Sequence, residues 1–235
     1  MLSKAQIKFI QSLQRNKSRK EYQQYLAEGA KIVPELIQNG AKIVQLYALP
    51  EWTAQNRLLL QQHGLQANTI TEDELAKISA LSTPNQVLAV VAMPQFDEHA
   101  LPAGLSIALD AIRDPGNLGT IIRTADAAGC GGVILIGDCV DPYSVEAVRA
   151  TMGSVFAVAI ARATPAEFIA WRQTWPGSVI GTRLDATVGH HDAAIEYPAL
   201  ILMGNEQAGL TDALAEACDV NVKIPMRGRA DSLNL

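Results

Sequence analysis

The chain has 235 residues, 49% hydrophobic and 18% charged, with a formal net charge of −5, enough apolar material to bury one large core or two small ones. Its longest apolar runs, Val87–Met93 and Ala199–Met203, are far too short to cross a bilayer, and the opening MLSKAQIKFIQSLQRNKSRK lacks the continuous apolar core of a signal peptide. Three cysteines (Cys130, Cys139, Cys218) match no metal or redox spacing, so a reduced, cytoplasmic protein with buried thiols is expected.

The first 31 residues hold seven cations (Lys4, Lys8, Arg15, Lys17, Arg19, Lys20, Lys31) against Glu21 and Glu28, a net +5 that leaves about −10 on the remainder. Such an end suits contact with phosphates, and it equally suits a solvated amphipathic helix. Gly29–Gln38 then reads as a short helix stopped by Asn39-Gly40, Lys42–Leu49 as a strand, and Trp52–His63 as a helix stopped by Gly64. Thr71 and Glu74 form a capping box opening a helix over Glu72–Leu81, and residues 86–93 (QVLAVVAM) read as a buried strand. PQFDEHALPAG, residues 94–104, is the best linker in the chain. A domain of residues 1–93 and a domain of residues 105–235 follow.

The second half alternates strand and helix: strand 106–110, helix Leu118–Ala128 with Leu118, Ile121, Ile122 and Ala125 on one face, strand 132–137 and helix Tyr143–Met152. Then come strand 156–162, helix Pro165–Thr174, strands 178–182 and 199–204, helix Asp212–Ala217 and strand 220–225. Short continuous apolar strands with helices between them predict an α/β fold whose parallel sheet is covered on both faces. In such sheets functional sites lie just beyond the carboxyl ends of strands. Three polar, glycine-rich segments fall there: DAIRDPGNLGTIIRTADAAG from Asp110, MGNEQAGL from Met203 and PMRGRADSLNL from Pro225. The first crossover lacks G-x-G-x-x-G, and no Walker-type G-K-[ST] occurs, which argues against a nucleotide-dependent oxidoreductase. His63, His99, His190 and His191 form no metal-ligand spacing, so no metal is expected. Trp171 and Trp175, four apart on a helix, suit packing better than base stacking.

DPGNLGTIIRTADAAG, LILMGNEQAGL and KIPMRGRADSLNL closely resemble, in order, the three signature motifs of the SpoU/TrmH branch of the SPOUT methyltransferases. YLAEGAKIVPELIQNG resembles the small ribosomal-protein-L30e-like substrate-binding domain that many of these enzymes carry. The resemblance implies a sheet whose C-terminal part forms a deep trefoil knot, which sequence rules alone would not propose, with S-adenosylmethionine bent within it. The pocket would be lined by Thr182, Leu184, Gly204, Gly209, Ile224, Met226 and Leu233, with the glycines letting main chain approach the ligand. The implied reaction is methylation of a ribose 2'-OH in structured RNA, 23S-type ribosomal RNA before tRNA, by a homodimer without a membrane partner. A non-catalytic RNA-binding or ribosome-assembly protein retaining the fold is the alternative.

The resemblance also implies the active-site residues. Arg123 would lie near the reacting hydroxyl, as a base or as a positioning group. An arginine whose pKa exceeds about 12 favours gripping a phosphate and stabilising the developing alkoxide, and an ion pair with Asp126 or Asp110 is its structural alternative. Asn117 could cap the helix, orient substrate and Arg123, or do both. Glu206 would fix backbone or arginine donors, and Ser232 and Asn234 would hydrogen-bond ribose or the methionine moiety. Family members continue past SLNL with an apolar helix; its absence points to a truncated or partly ordered chain. The domain split predicts that removing residues 1–93 spares cofactor binding.

Overall fold

The computed structural model describes residues 1–95 and 104–229. These fall into two compact units. The first begins with α1 (Lys4–Ser12), opened by a capping box in which Ser3 Oγ accepts the Gln6 N–H and Gln6 Oε1 accepts the Ser3 N–H. It continues with α2 (Asn16–Tyr22), β1 (Gln24–Glu28), α3 (Ile32–Gln38), β2 (Ile43–Ala48), α4 (Pro50–Gln55), α5 (Arg57–Gln62), β3 (Asn68–Thr69), α6 (Glu72–Ile78) and β4 (Val87–Ala92). The sheet order is β1-β4-β2-β3, with β4 antiparallel to both β1 and β2. Ile10, Leu13, Leu26, Tyr47, Ile78 and Leu88 pack as one core against it.

The Thr71–Glu74 box is as read. The expected helix over Trp52–His63 is two helices meeting at Asn56, whose side-chain amide donates to the Trp52 carbonyl at 2.9 Å. That local bond competes with helix propagation. Strand β1 lies where no strand was read.

The second unit contains β5 (Leu105–Asp110), α7 (Pro115–Ala127) and β6 (Gly132–Ile136). The chain next forms α8 (Val145–Thr151), then β7 (Ala159–Ala163), α9 (Pro165–Arg172), β8 (Ser178–Thr182), β9 (Val188–Gly189), β10 (Ala199–Met203), α10 (Asp212–Glu216) and β11 (Val220–Lys223). Seven strands in the order β7-β6-β5-β10-β8-β11-β9 pair in parallel throughout. Period-two alternation divides their side chains. Leu109, Val133 and Leu135 pack with α7 residues Leu118, Ile121, Ile122 and Ala125. Ala108, Ile134 and Ile136 pack on the opposite face with Phe168 and Leu214. With both faces buried, these strands read as unbroken apolar runs. Trp171 and Trp175, with ring centroids 5.0 Å apart and planes tilted by 39°, pack against that second face.

The domain boundaries differ from expectation. Residues 141–157, including α8, group with Met1–Gln95 and leave 104–140 and 158–229 as the described second unit. The reason is chemical. Val145 packs against the first unit's core, Tyr143 meets Tyr25 at 5.2 Å, and the Arg19 guanidinium, 3% exposed, donates through Nε to Asp141 Oδ2 at 2.8 Å and through a terminal N–H to the Leu13 carbonyl at 2.9 Å. Most of the 94–104 linker lies outside the described residues.

Candidate functional site

Strand order reverses beside β5: β6 and β7 extend to one side, and β10, β8, β11 and β9 to the other. In open parallel sheets, ligands occupy the crevice at the carboxyl ends of strands where the order switches. The first two motif segments leave the adjacent strands β5 and β10 at that point. The third leaves β11, separated from β10 by β8.

Asp-Pro opens α7: Asp114 is the N-cap, its Oδ1 accepting the Asn117 N–H at 2.7 Å, and Pro115 takes the first helical position. Asn117 is therefore not the cap but the third helical residue. Its side chain is released toward the crevice, where Nδ2 donates to Glu206 Oε1 at 3.1 Å. Glu206 is held by a tight turn. Asn205 Oδ1 accepts the Gln207 and Ala208 N–H groups at 2.9 and 3.1 Å, and the Asn205 and Gly209 backbones bond in both directions at 3.0 and 2.9 Å.

Gly204 is required by this turn itself. A Cβ there would lie 2.0 Å from the Leu210 nitrogen and 2.1 Å from the Gly209 carbonyl carbon. The turn's own backbone thus demands glycine here, in addition to any close approach to a ligand expected from the sequence. Gly209, with φ of +71° and open space around it, serves the turn's left-handed backbone.

Arg123 is exposed, six residues and ~9 Å along the helix axis from Asn117. Among the described residues it makes neither of the ion pairs considered for it; Asp110 is instead buried and accepts the Thr211 N–H at 3.0 Å. Asn117 and Glu206 are thus brought together, and Arg123 is not joined to them. Ser232, Leu233 and Asn234 lie outside the described residues.

Thr182, the last residue of β8, pairs with Val222 of β11, and its Oγ1 donates to the Leu202 carbonyl at 3.3 Å. Just past the paired residues Thr182 and Val222, the neighbouring strands β8 and β11 present Leu184 and Ile224, with Met226 following. These side chains are 71%, 54% and 37% exposed, an apolar surface suited to a purine-like ligand. Arg183 between them binds Asp185 at 2.8 and 2.9 Å and Asp212 at 2.9 Å, and these partners hold its pKa above the usual arginine value. The apolar exposure at this strand end fits S-adenosylmethionine.

Burial pushes the Cys218 thiol up to about 12 and raises those of Cys139 and Cys130, so none is suited to act as a nucleophile. No group of three metal-ligating side chains occurs among the described residues. Sequence reasoning missed Asp114, Asn205 and Asp110. The first two carried readable signals, Asp before Pro-Gly and Asn opening a glycine-closed turn.

The SpoU rRNA Methylase family model matches residues 104–235, and the MRM3-like substrate binding domain matches residues 4–89. The chain is 30% identical over 229 residues to the 23S rRNA (guanosine(2553)-2'-O)-methyltransferase RlmP of Bacillus subtilis, covering 97% of this chain and 90% of that one. Among solved structures it resembles an AdoMet-bound rRNA methyltransferase from Sinorhizobium meliloti, at 40% identity and a TM-score of 0.86, covering 100% of this chain and 91% of that one. The SpoU methyltransferase AviRb from Streptomyces viridochromogenes, in complex with the cofactor AdoMet, aligns at 30% identity and a TM-score of 0.85, covering 99% and 92%.

Proposed function

The chain belongs to the SpoU rRNA methylase family, and from that premise we propose that it methylates a ribose 2'-hydroxyl in 23S-type ribosomal RNA with S-adenosylmethionine. The observation that carries this is the Asn117–Glu206 contact at the sheet's switch point; the exposed apolar residues Leu184, Ile224 and Met226 follow β8 and β11 of the same sheet. Bound there, S-adenosylmethionine supplies a methyl group on a positively charged sulfur.

Such a transfer asks the protein mainly for alignment. Glu206 holds the Asn117 amide, and the two together orient the ribose. Arg123, exposed and without an ion-pair partner among the described residues, grips an adjacent phosphate. A guanidinium carries its charge permanently, which suits it to electrostatic stabilisation of the developing alkoxide rather than to proton removal. Leu184, Ile224 and Met226 cover the purine, while Thr182, Gly204 and Gly209 contribute backbone. The proposal extends by family resemblance to Ser232, Leu233 and Asn234, which lie outside the described residues, and to a deep trefoil knot.

The first unit, L30e-like and carrying the substrate-binding family match, selects the RNA. Lys4, Lys8, Arg15, Lys17 and Lys20 are exposed and have no ion-pair partners among the described residues, so they are available to phosphates. The proposal includes a cytoplasmic homodimer. Incubation with labelled S-adenosylmethionine and ribosomal RNA from a strain lacking the protein tests it. Label should appear in alkali-resistant ribose, and Arg123→Ala should slow transfer on the order of 100-fold. Cofactor binding without any transfer would favour a non-catalytic RNA-binding protein; label on a base would sink the 2'-O assignment.

A further inference from the structure

Asp110 ends β5 with its carboxylate buried, 3% exposed, and the chemistry above gives it no task. Its Oδ2 accepts the Thr211 N–H at 3.0 Å. The next residue, Ala111, adopts a left-handed φ of 52°, and its carbonyl accepts from Asn205 Nδ2 at 2.9 Å. Two consecutive residues at the end of β5 therefore hold both ends of the 205–211 loop. Within that loop Asn205 and Gly209 close on each other, Gly204 leaves no room for a side chain, and Glu206 projects to Asn117. A second tie, Arg183 to Asp212, has a carboxylate partner 85% exposed, where solvent weakens the attraction. The Asp110 bond is sheltered and charge-assisted, which makes it the stronger anchor.

We propose that Asp110 is a positioning residue that fixes the 205–211 loop so that Glu206 stands opposite Asn117. The assignment rests on the methyltransferase reading of Glu206. A purely structural Asp110 would affect stability without specifically affecting the loop or the chemistry.

The test compares Asp110→Ala and Asp110→Asn in the full chain. It reads hydrogen exchange of the Gln207–Gly209 amides without cofactor, S-adenosylmethionine affinity by calorimetry, and kcat and KM for ribosomal RNA. In Asp110→Ala, loop exchange should quicken on the order of 10- to 100-fold. Its kcat should fall on the order of 100-fold with KM for RNA little changed. Asp110→Asn, whose amide oxygen can still accept from Thr211, should recover most of both losses. Glu206→Gln should lower kcat in the wild type and add little in Asp110→Ala, because the loop is already released.

A lowered melting temperature with unchanged loop exchange and an undiminished Glu206→Gln effect would overturn the proposal. Should Asp110→Ala not fold, Asp110→Asn decides alone: fast loop exchange with the Thr211 amide resonance unmoved overturns it, and a protected loop supports it. If the wild type neither binds S-adenosylmethionine nor transfers methyl, the methyltransferase reading falls, while exchange in the cofactor-free protein still judges the anchor.

Discussion

At Gly204 even one methyl group is too much, since the turn folds its own backbone into the place a Cβ would take. Gly204→Ala should cost about 1–3 kcal/mol through overpacking and weaken cofactor binding, read by denaturant titration and calorimetry. An unchanged unfolding midpoint with intact binding would contradict this packing account. Glu28 shows the converse case of a polar group kept inside. Burial raises its pKa above the usual carboxylate value, against the lowering effects of Ser79, Ala80 and Arg149. The folded state therefore holds this proton to a higher pH than the unfolded chain does. Stability from this group is full below the unfolded pKa, about 4.3, and is lost as pH rises through the higher folded value. Glu28→Gln should flatten that decline in melting temperature while changing stability little at the acid end. A pH profile that keeps the wild-type slope would refute it.

Among the elements, α1 and α2 carry cations that look alike in sequence and differ in space. Arg19 is buried, gripping Asp141 and the Leu13 carbonyl, whereas Lys17 and Lys20 on the same helix are exposed. Arg19→Ala should destabilise the protein by about 3–5 kcal/mol, the cost of leaving a buried partner charge uncompensated. Lys17→Ala should leave stability unchanged and lower the salt dependence of RNA binding by roughly one unit of slope if it contacts a phosphate. Equal effects of the two changes on both measurements would erase the distinction. Local chemistry made some features of this kind legible. The Thr71–Glu74 capping box could be read because each partner lies within one turn of the other. Burial of Arg19 could not, because its partner lies 122 residues away. Strand β1 was equally hidden: QYLAE shows no alternation, and its partner β4, with Gln24 opposite Ala92 and Glu28 opposite Leu88, lies far along the chain, so only tertiary packing settles the pairing.

At the scale of the molecule, the second unit's main strands were readable from apolar runs between helices, and the site's Asn117 and Glu206 from the motifs that carry them. Their order in the sheet was not, since no local signal tells β5 to lie between β6 and β10. The excursion of residues 141–157 into the first unit was also invisible, because Val145 and Tyr143 have their partners far back in the chain. This changes the expectation for a truncated protein. Removing residues 1–93 would strip α8 of its packing surface and leave Asp141 without Arg19. Such a fragment should aggregate or melt well below the intact chain in light scattering and calorimetry. A monodisperse fragment with wild-type cofactor affinity would show the two units to be separable after all.

That excursion also sets a timetable for synthesis. The first unit's chain has passed Gln95 long before its last pieces, Asp141–Ala157, are made. At about 5–20 residues per second, the ribosome takes on the order of 3–12 s to supply them. During that interval the nascent N-terminal part carries an unfilled apolar seat, a window in which a chaperone would have something to hold.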